Sequence, residues 1–245
     1  MIKLGDTNIT AVKLGDANIS KVYQGETLIM GGSTPPQPSV KLPEGSEFNF
    51  NAKRFNTDRI KNDVEGKNDL IFENGTPVLI GDYLTISNCK ATCTPLITNI
   101  TSTLNVIYCV TMSNKANALF FNSYDGYKGI NIYSNLSGIY AVFGYCNNTR
   151  EPYASTAALM EKPTDYTPIL LNCKTEFIVK NLDNNSQSQG VRPINNISNN
   201  GVADYVLFTD AFDAQYWEGK FKWIYLTYND LTDEEIQQVI EFNNQ

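Results

Sequence analysis

Apolar runs in this chain are short and repeatedly interrupted. Stretches rich in Tyr, Phe, Val and Ile end within a few residues at Asn, Ser, Asp or Gly. Residues 129–133 alternate apolar and polar positions, the period of a strand with one buried face. Runs at 105–112, 118–121, 138–143, 176–180, 205–208 and 221–228 read as further strands, with a long polar loop over 181–204. The 14 Tyr and 12 Phe, together with abundant Thr, Val and Ile, favour extended backbone. Many short strands separated by turn residues predict an all-β chain folded as an antiparallel β-sandwich. One helix interrupts this pattern, at the end of the chain. Thr232 is an N-cap with Glu235 three residues on, a capping box, and Leu231 and Ile236 have the spacing of a hydrophobic staple. Ile236, Val239 and Ile240 form one apolar stripe, so the helix packs on the sheet.

The first thirty residues are one phrase written three times: IKLGDTNI at 2–9, VKLGDANI at 12–19 and, more loosely, VYQGETLI at 22–29. Gly5, Gly15 and Gly25 each precede an acid, as tight turns require. Residues 8–14 and 18–23 read as short strands, so the repeats predict a ladder of three. The spacing of three between Ile9 and Val12 breaks alternation and calls for a bulge or wide turn. So small a ladder cannot hold itself together. The expectation is that residues 1–30 form an anchoring and oligomerisation module. Ile9, Val12, Ile19 and Val22 would carry its contacts, joining the chain into a homo-oligomer, a dimer or trimer. Residues 31–46 form a Gly/Pro-rich linker, and 47–245 form the main domain.

Composition narrows the function. With 42% hydrophobic and 18% charged residues the chain is globular rather than disordered. Its net charge of −7 comes with no basic cluster, which makes nucleic acid and anionic membranes poor partners. The longest apolar runs fall far short of a membrane span, and no signal peptide is visible. Cys89, Cys93, Cys109, Cys146 and Cys173 are odd in number, include no tight pair, and read as free buried thiols of a protein made in a reducing cytoplasm. The chain has no His, which removes Ser-His-Asp and Cys-His nucleophile activation and His-ligated metals.

Two resemblances add to this reading. The stretch 217–226 (WEGKFKWIYL) followed by 231–236 (LTDEEI) resembles the closing segment of concanavalin A-like (laminin-G-like) lectin domains. There a strand with Trp/Phe-x-Gly leads to a helix with Leu-Thr/Ser-x-x-Glu-Ile. Residues 63–69 are similar to the family's Asp-x-Ser-Gly-Asn-Gly-Asn loop, with Glu65 in place of Ser. Residues 177–181 and 206–208 are similar to its hairpin and following strand, although the hairpin Gly is missing and the loop is longer. The resemblance implies a concanavalin A-like jelly roll. The N-terminal phrase before such a domain resembles virion proteins of tailed phages, especially crAss-like phages. That implies a head or tail fibre or decoration protein, bound to capsid or tail proteins by its N-terminal repeats and localised to the virion after synthesis in the host cytoplasm. Its lectin-like domain would face outward toward host or mucosal glycans. A purely structural capsid or tail component is the alternative, and a polysaccharide hydrolase a weaker one.

The sequence offers little hydrolytic chemistry. A glycosidase needs two carboxylates flanking the scissile bond, and the Glu-x-Asp-x-Glu strand of concanavalin A-like glucanases is missing. Asp233, Glu234 and Glu235 sit in a helix first turn, where acids complement the dipole. The chain is therefore expected not to be an enzyme and to have no catalytic residues. Sugar binding needs aromatic faces beside polar loop groups, for which Tyr124, Asp125 and Tyr127 are the local candidates. Trp217 and Trp223 read as core. The chain is expected to need no cofactor, and its one candidate place for calcium lies between Asp63 and Asp69, where oxygen ligands gather.

Overall fold

A computed structural model describes backbone and side chains over residues 40–95, 104–111, 166–172, 178–189, 204–209 and 216–245, together with Ile132. It describes backbone alone for the other strands named below. The chain divides into two compact units, Met1–Lys41 and Leu42–Gln245.

In the first unit β1 (Lys3–Leu4) pairs with β2 (Thr7–Asn8), β3 (Val12–Leu14) with β4 (Ala17–Ile19), and β5 (Lys21–Gln24) with β6 (Thr27–Gly31). Each pair is a separate two-stranded antiparallel sheet. This corrects the expected three-strand ladder, because residues 7–8 and 12–14 belong to different hairpins. The register gives the reason. Leu4 faces Thr7, Leu14 faces Ala17 and Gln24 faces Thr27, which leaves a two-residue Gly-acid link each time. Gly followed by a polar residue is the dipeptide that two-residue hairpin loops select, so each ten-residue period holds two strands instead of one. A bulge falls between Val22 and Tyr23 in the third hairpin. Val12 stands directly opposite Ile19, and Val22 opposite Met30; Ile9 lies outside the described residues.

The second unit carries β7 (Ser46–Asn56), β8 (Arg59–Asn62), β9 (Leu70–Asn74), β10 (Val78–Ile80), β11 (Tyr83–Ile86), β12 (Lys90–Cys93), β13 (Leu104–Thr111), β14 (Ala118–Asn122), β15 (Gly129–Ser134), β16 (Ile139–Cys146), β17 (Pro152–Tyr153) and β18 (Ala158–Met160). It continues with β19 (Pro168–Cys173), β20 (Glu176–Asn181), β21 (Gln187–Val191), β22 (Tyr205–Leu207), β23 (Gly219–Thr227) and α1 (Asp233–Asn244). In one layer β23 pairs with β13 along one side and with β7 and β11 along the other. β13 continues to β19, β20 and β21, while β10 closes the far edge beside β11. A second layer runs β8, β9, β12, β22, β14, β15 and β16. β7 belongs to both. Its first half pairs with β23 and its second with β8, and the register shifts between Phe50 and Phe55, the kind of irregularity that turns a strand.

Strand periodicity then fills the sandwich. Phe48, Phe50, Leu84, Val106, Tyr108, Phe221, Ile224 and Leu226 meet Ile60, Leu70, Phe72, Ala91 and Leu207 of the other layer in one core. The fold is an all-β antiparallel sandwich, as its alternation predicts. The opposite face of β13 and β23 presents Ile107, Cys109, Trp223 and Tyr225, and the stripe Ile236 and Val239 of α1 covers them. Trp217 and Trp223 are fully buried, one in each of these cores. The capping box forms as expected. Thr232 Oγ1 accepts from Glu235 N–H (3.2 Å) and Glu235 Oε2 accepts from Thr232 N–H (2.8 Å). The helix extends a turn past residue 240, however, to seat Asn243. Its Oδ1 accepts from Nδ2 of Asn49 (3.1 Å) and Asn51 (3.0 Å), and its Nδ2 donates to Asn49 Oδ1 (2.9 Å). No described helix is long and apolar enough to cross a membrane.

Two departures from the sequence reading share one cause. The expected loop 181–204 contains β21, because the hairpin closes without a Gly. Asn181 Oδ1 accepts from the N–H groups of Asp183 (2.9 Å) and Asn184 (3.3 Å), and Asn185 takes the left-handed conformation at φ 59°. Phe208 also holds a positive φ, 71°, which a bulky residue adopts only under tertiary constraint. Its ring lies between Phe72, Phe221 and Trp217, with centroids 5.4–5.9 Å away, and its carbonyl accepts from Trp217 N–H (2.8 Å). Trp217 in turn folds over Gly219, where an added Cβ would collide with the indole and sit 2.5 Å from the Thr111 carbonyl oxygen. Substituting Gly219→Ala should therefore destabilise the unit by about 1–3 kcal/mol through overpacking, read as a lowered denaturation midpoint. An unchanged midpoint would remove the Trp217–Gly219 contact as the reason for the Trp-x-Gly motif.

Candidate functional site

Of the ligand residues singled out from sequence, Asp63 and Asp69 are described. Tyr124, Asp125 and Tyr127 lie outside the described residues. Asp63 and Asp69 stand at opposite ends of the β8–β9 loop and have different partners. Asp63 accepts from Arg54 Nε (2.9 Å) and Asn49 Nδ2 (2.9 Å). Asp69 accepts from Asn62 N–H (2.9 Å) and lies 4.0 Å from Arg59. The loop is pinned further by Lys67 Nζ, 2.5 Å from the buried Glu47 carboxylate. Among the described residues no group of three Asp, Glu, Cys or His side chains is arranged to hold a metal ion.

A different cluster forms on the outer face of the first layer, where Tyr166 packs at the margin of the core that α1 covers. In β11, Leu84 and Ile86 point into the core, so Tyr83 between the hairpin turn and Leu84 faces outward. Ile80 and Tyr83 are paired across Gly81-Asp82, with Gly81 at φ 62°, the left-handed conformation that Gly adopts without steric cost. That turn brings Asp82 to the surface, where its Oδ2 lies 2.9 Å from Lys222 Nζ. The hydrogen bond from Lys222 holds the Asp82 carboxyl below its usual range. The Tyr166 ring lies beside Tyr83, centroids 5.6 Å apart and planes inclined by 32°. Lys220 Nζ sits 4.8 Å from the Tyr83 centroid, and Lys222 Nζ 5.6 Å from that of Tyr166. The result is an aromatic step with cations over it, flanked by the exposed β10 residues Val78, Leu79 and Ile80.

The Tyr166 hydroxyl is turned inward, without a hydrogen-bond partner among the described residues, and burial pushes it up to about 12. Tyr166 thus offers ring surface, while Tyr83, Lys220 and Asp82 offer polar atoms. Sequence reasoning passed over this cluster because its members come from three strands or their margins. The one local signal was Gly81-Asp82, the same Gly-acid pair that closes the N-terminal hairpins.

Comparison with solved structures bears on the fold that carries this cluster. The binding domain of botulinum neurotoxin serotype D superposes with a TM-score of 0.59 at 12% identity, covering 82% of this chain and 52% of that one. The binding domain of botulinum neurotoxin DC, in complex with SialylT, gives 0.57 at 11% identity over 82% and 52%. Trypanosoma rangeli sialidase with the inhibitor DANA gives 0.55 at 10% identity over 82% and 33%. The shared architecture is the antiparallel β-sandwich. At such low identity the likeness is one of fold, and this chain spans about half the length of the neurotoxin domains. No protein-family model matches the sequence, and no curated protein does.

Of the described thiols, Cys109 adjoins the site through the Tyr166 backbone. Cys89, Cys93 and Cys109 are free and buried. Cys93 Sγ donates to the Asn68 carbonyl (3.4 Å) and Cys109 Sγ to that of Tyr166 (3.0 Å). Burial pushes both thiols up to about 12, and Cys89 upward as well. Since only the thiolate is nucleophilic, these three should resist a disulfide-exchange reagent at pH 8 and react together once denaturant unfolds the unit. The sign for stability follows. The folded state binds more protons between the ordinary value of 9.0 and about 12, so stability should fall as pH rises through that window. Rapid labelling of Cys93 or Cys109 in the native protein, found by mapping labelled peptides, would contradict this.

Proposed function

We propose that this chain is a virion fibre or decoration protein that binds glycans. In this reading residues 42–245 hold the sugar through Tyr83, Tyr166 and Lys220. Residues 1–41 anchor the chain to the particle and join it to other copies. The observation that carries the binding reading is the Tyr83–Tyr166 step with Lys220 and Asp82 beside it. Aromatic faces take the C–H surface of a sugar ring, and polar groups at their margin take its hydroxyls. The neighbours support it: one is described in complex with SialylT, and cell entry of the type C toxin is described as dependent on two ganglioside molecules. Binding without hydrolysis is supported by the carboxylates. The step has Asp82 as its carboxylate among the described residues, whereas glycoside hydrolysis ordinarily uses two. The anchoring reading draws on the resemblance to phage virion proteins and on three hairpins, each too small to be stable alone.

A glycan array probed with the full chain tests the first half. At least one glycan should bind, and Tyr83→Ala should weaken that binding about fivefold or more while leaving the melting curve in place. An array with no binder would favour a purely structural virion component.

Removal of residues 1–41 tests the second half. The remainder should keep a cooperative melt, because the two units are separately compact. It should also become monomeric and fail to join assembled particles. Aggregation of the truncated chain, or its normal incorporation, would exclude this anchoring role.

A further inference from the structure

We infer that the sugar held at the Tyr83 step is acidic, one that carries a carboxylate or a sulfate ester; this rests on the glycan-binding reading above. The chain as a whole repels anions, with a net charge of −7. The ammonium groups around Asp82 reverse that locally. Lys222 is bound to Asp82 at 2.9 Å, and the positive field of Lys53 also reaches the Asp82 carboxyl. Lys53 Nζ is itself engaged by the Gln245 carbonyl oxygen at 3.0 Å. Glu218, two residues before Lys220, accepts from Ser87 Oγ at 3.3 Å.

Lys220 differs from these. Its backbone N–H donates to Thr111 Oγ1 at 3.2 Å, and its exposed ammonium rests 4.8 Å from the Tyr83 centroid. It forms no ion pair with a carboxylate among the described residues. A cation over a half-buried surface ring is held less firmly than by a charge-assisted hydrogen bond to an anion. An arriving carboxylate or sulfate therefore draws Lys220 off the Tyr83 face. The same movement bares the ring for the sugar to stack on, so the anion and the apolar sugar surface are engaged in one step. A neutral sugar must displace the ammonium with no anion to receive it, and that difference sets the preference.

The test is calorimetric titration of the full chain with matched oligosaccharides: a neutral one, the same core bearing a carboxylated sugar, and the same core bearing a sulfate ester. At low ionic strength at least one acidic member should bind about fivefold tighter than the neutral one, and added salt should erase the advantage. The arm that binds tighter names the anion. Lys220→Gln should bind the acidic and neutral members equally, whatever its affinity for the neutral one, and Lys220→Arg should restore the preference. Equal binding of neutral and acidic members by the unaltered chain overturns the inference and leaves the glycan-binding reading standing. Binding of none overturns that reading as well. A preference that survives in Lys220→Gln overturns the role given to Lys220.

Discussion

Strand β23 is hydrogen-bonded on both sides along nearly its whole length, to β13 on one flank and to β7 and β11 on the other. Its two faces feed two different cores. Phe221, Ile224 and Leu226 enter the space between the layers, while Trp223 and Tyr225 support the helix. Lys220 and Lys222 complete the strand where the helix ends its cover. The register shift between Cys109 and Val110 opposite them leaves Lys222 as the extra residue of a bulge, and bulges re-aim side chains in this way. Core, helix seat and candidate site thus depend on a single strand keeping its register.

The outer face is closed by polar as well as apolar contacts. Asn243 exchanges hydrogen bonds with Asn49 and Asn51 in a setting nearly free of solvent. Ser46 Oγ lies 3.0 Å from the Tyr225 hydroxyl and donates to the Pro43 carbonyl at 2.6 Å. Satisfied polar groups of this kind fix one arrangement of the helix against the sheet, since any slip would leave buried amides unpaired. An apolar stripe alone tolerates sliding. The site benefits, because the helix position decides how far the covered face extends toward Tyr166.

Much of the fold was legible in local pattern. Alternation in 129–133 and the runs at 105–112 and 221–228 correspond to β15, β13 and β23, and the capping box at Thr232 and Glu235 set the helix start. Reading failed where conformation depends on tertiary support. Asn185 and Phe208 hold left-handed backbone that sequence assigns to Gly, so a hairpin at 181–187 read as loop. The ten-residue repeat was visible, but its strand count was halved because the Gly-acid pair was taken to separate strands of one ladder, whereas each closes a hairpin of its own. The candidate site was the least legible part. Tyr83, Tyr166 and Lys220 are far apart in the chain and become neighbours only through the pairing of β11 with β23 and the path into β19.

The hairpins of the first unit have a consequence for how such a chain changes over generations. Each ten-residue period opens and closes its own pairing, and no strand is shared with the next period. A copy can therefore be gained or lost by a thirty-nucleotide duplication or deletion without shifting the register of any other pair. Copy number is free to drift while the sandwich of residues 42–245 is left untouched. The repeated phrase at the start of the sequence is the kind of record such slippage leaves, with two copies still close in wording and a third that has diverged.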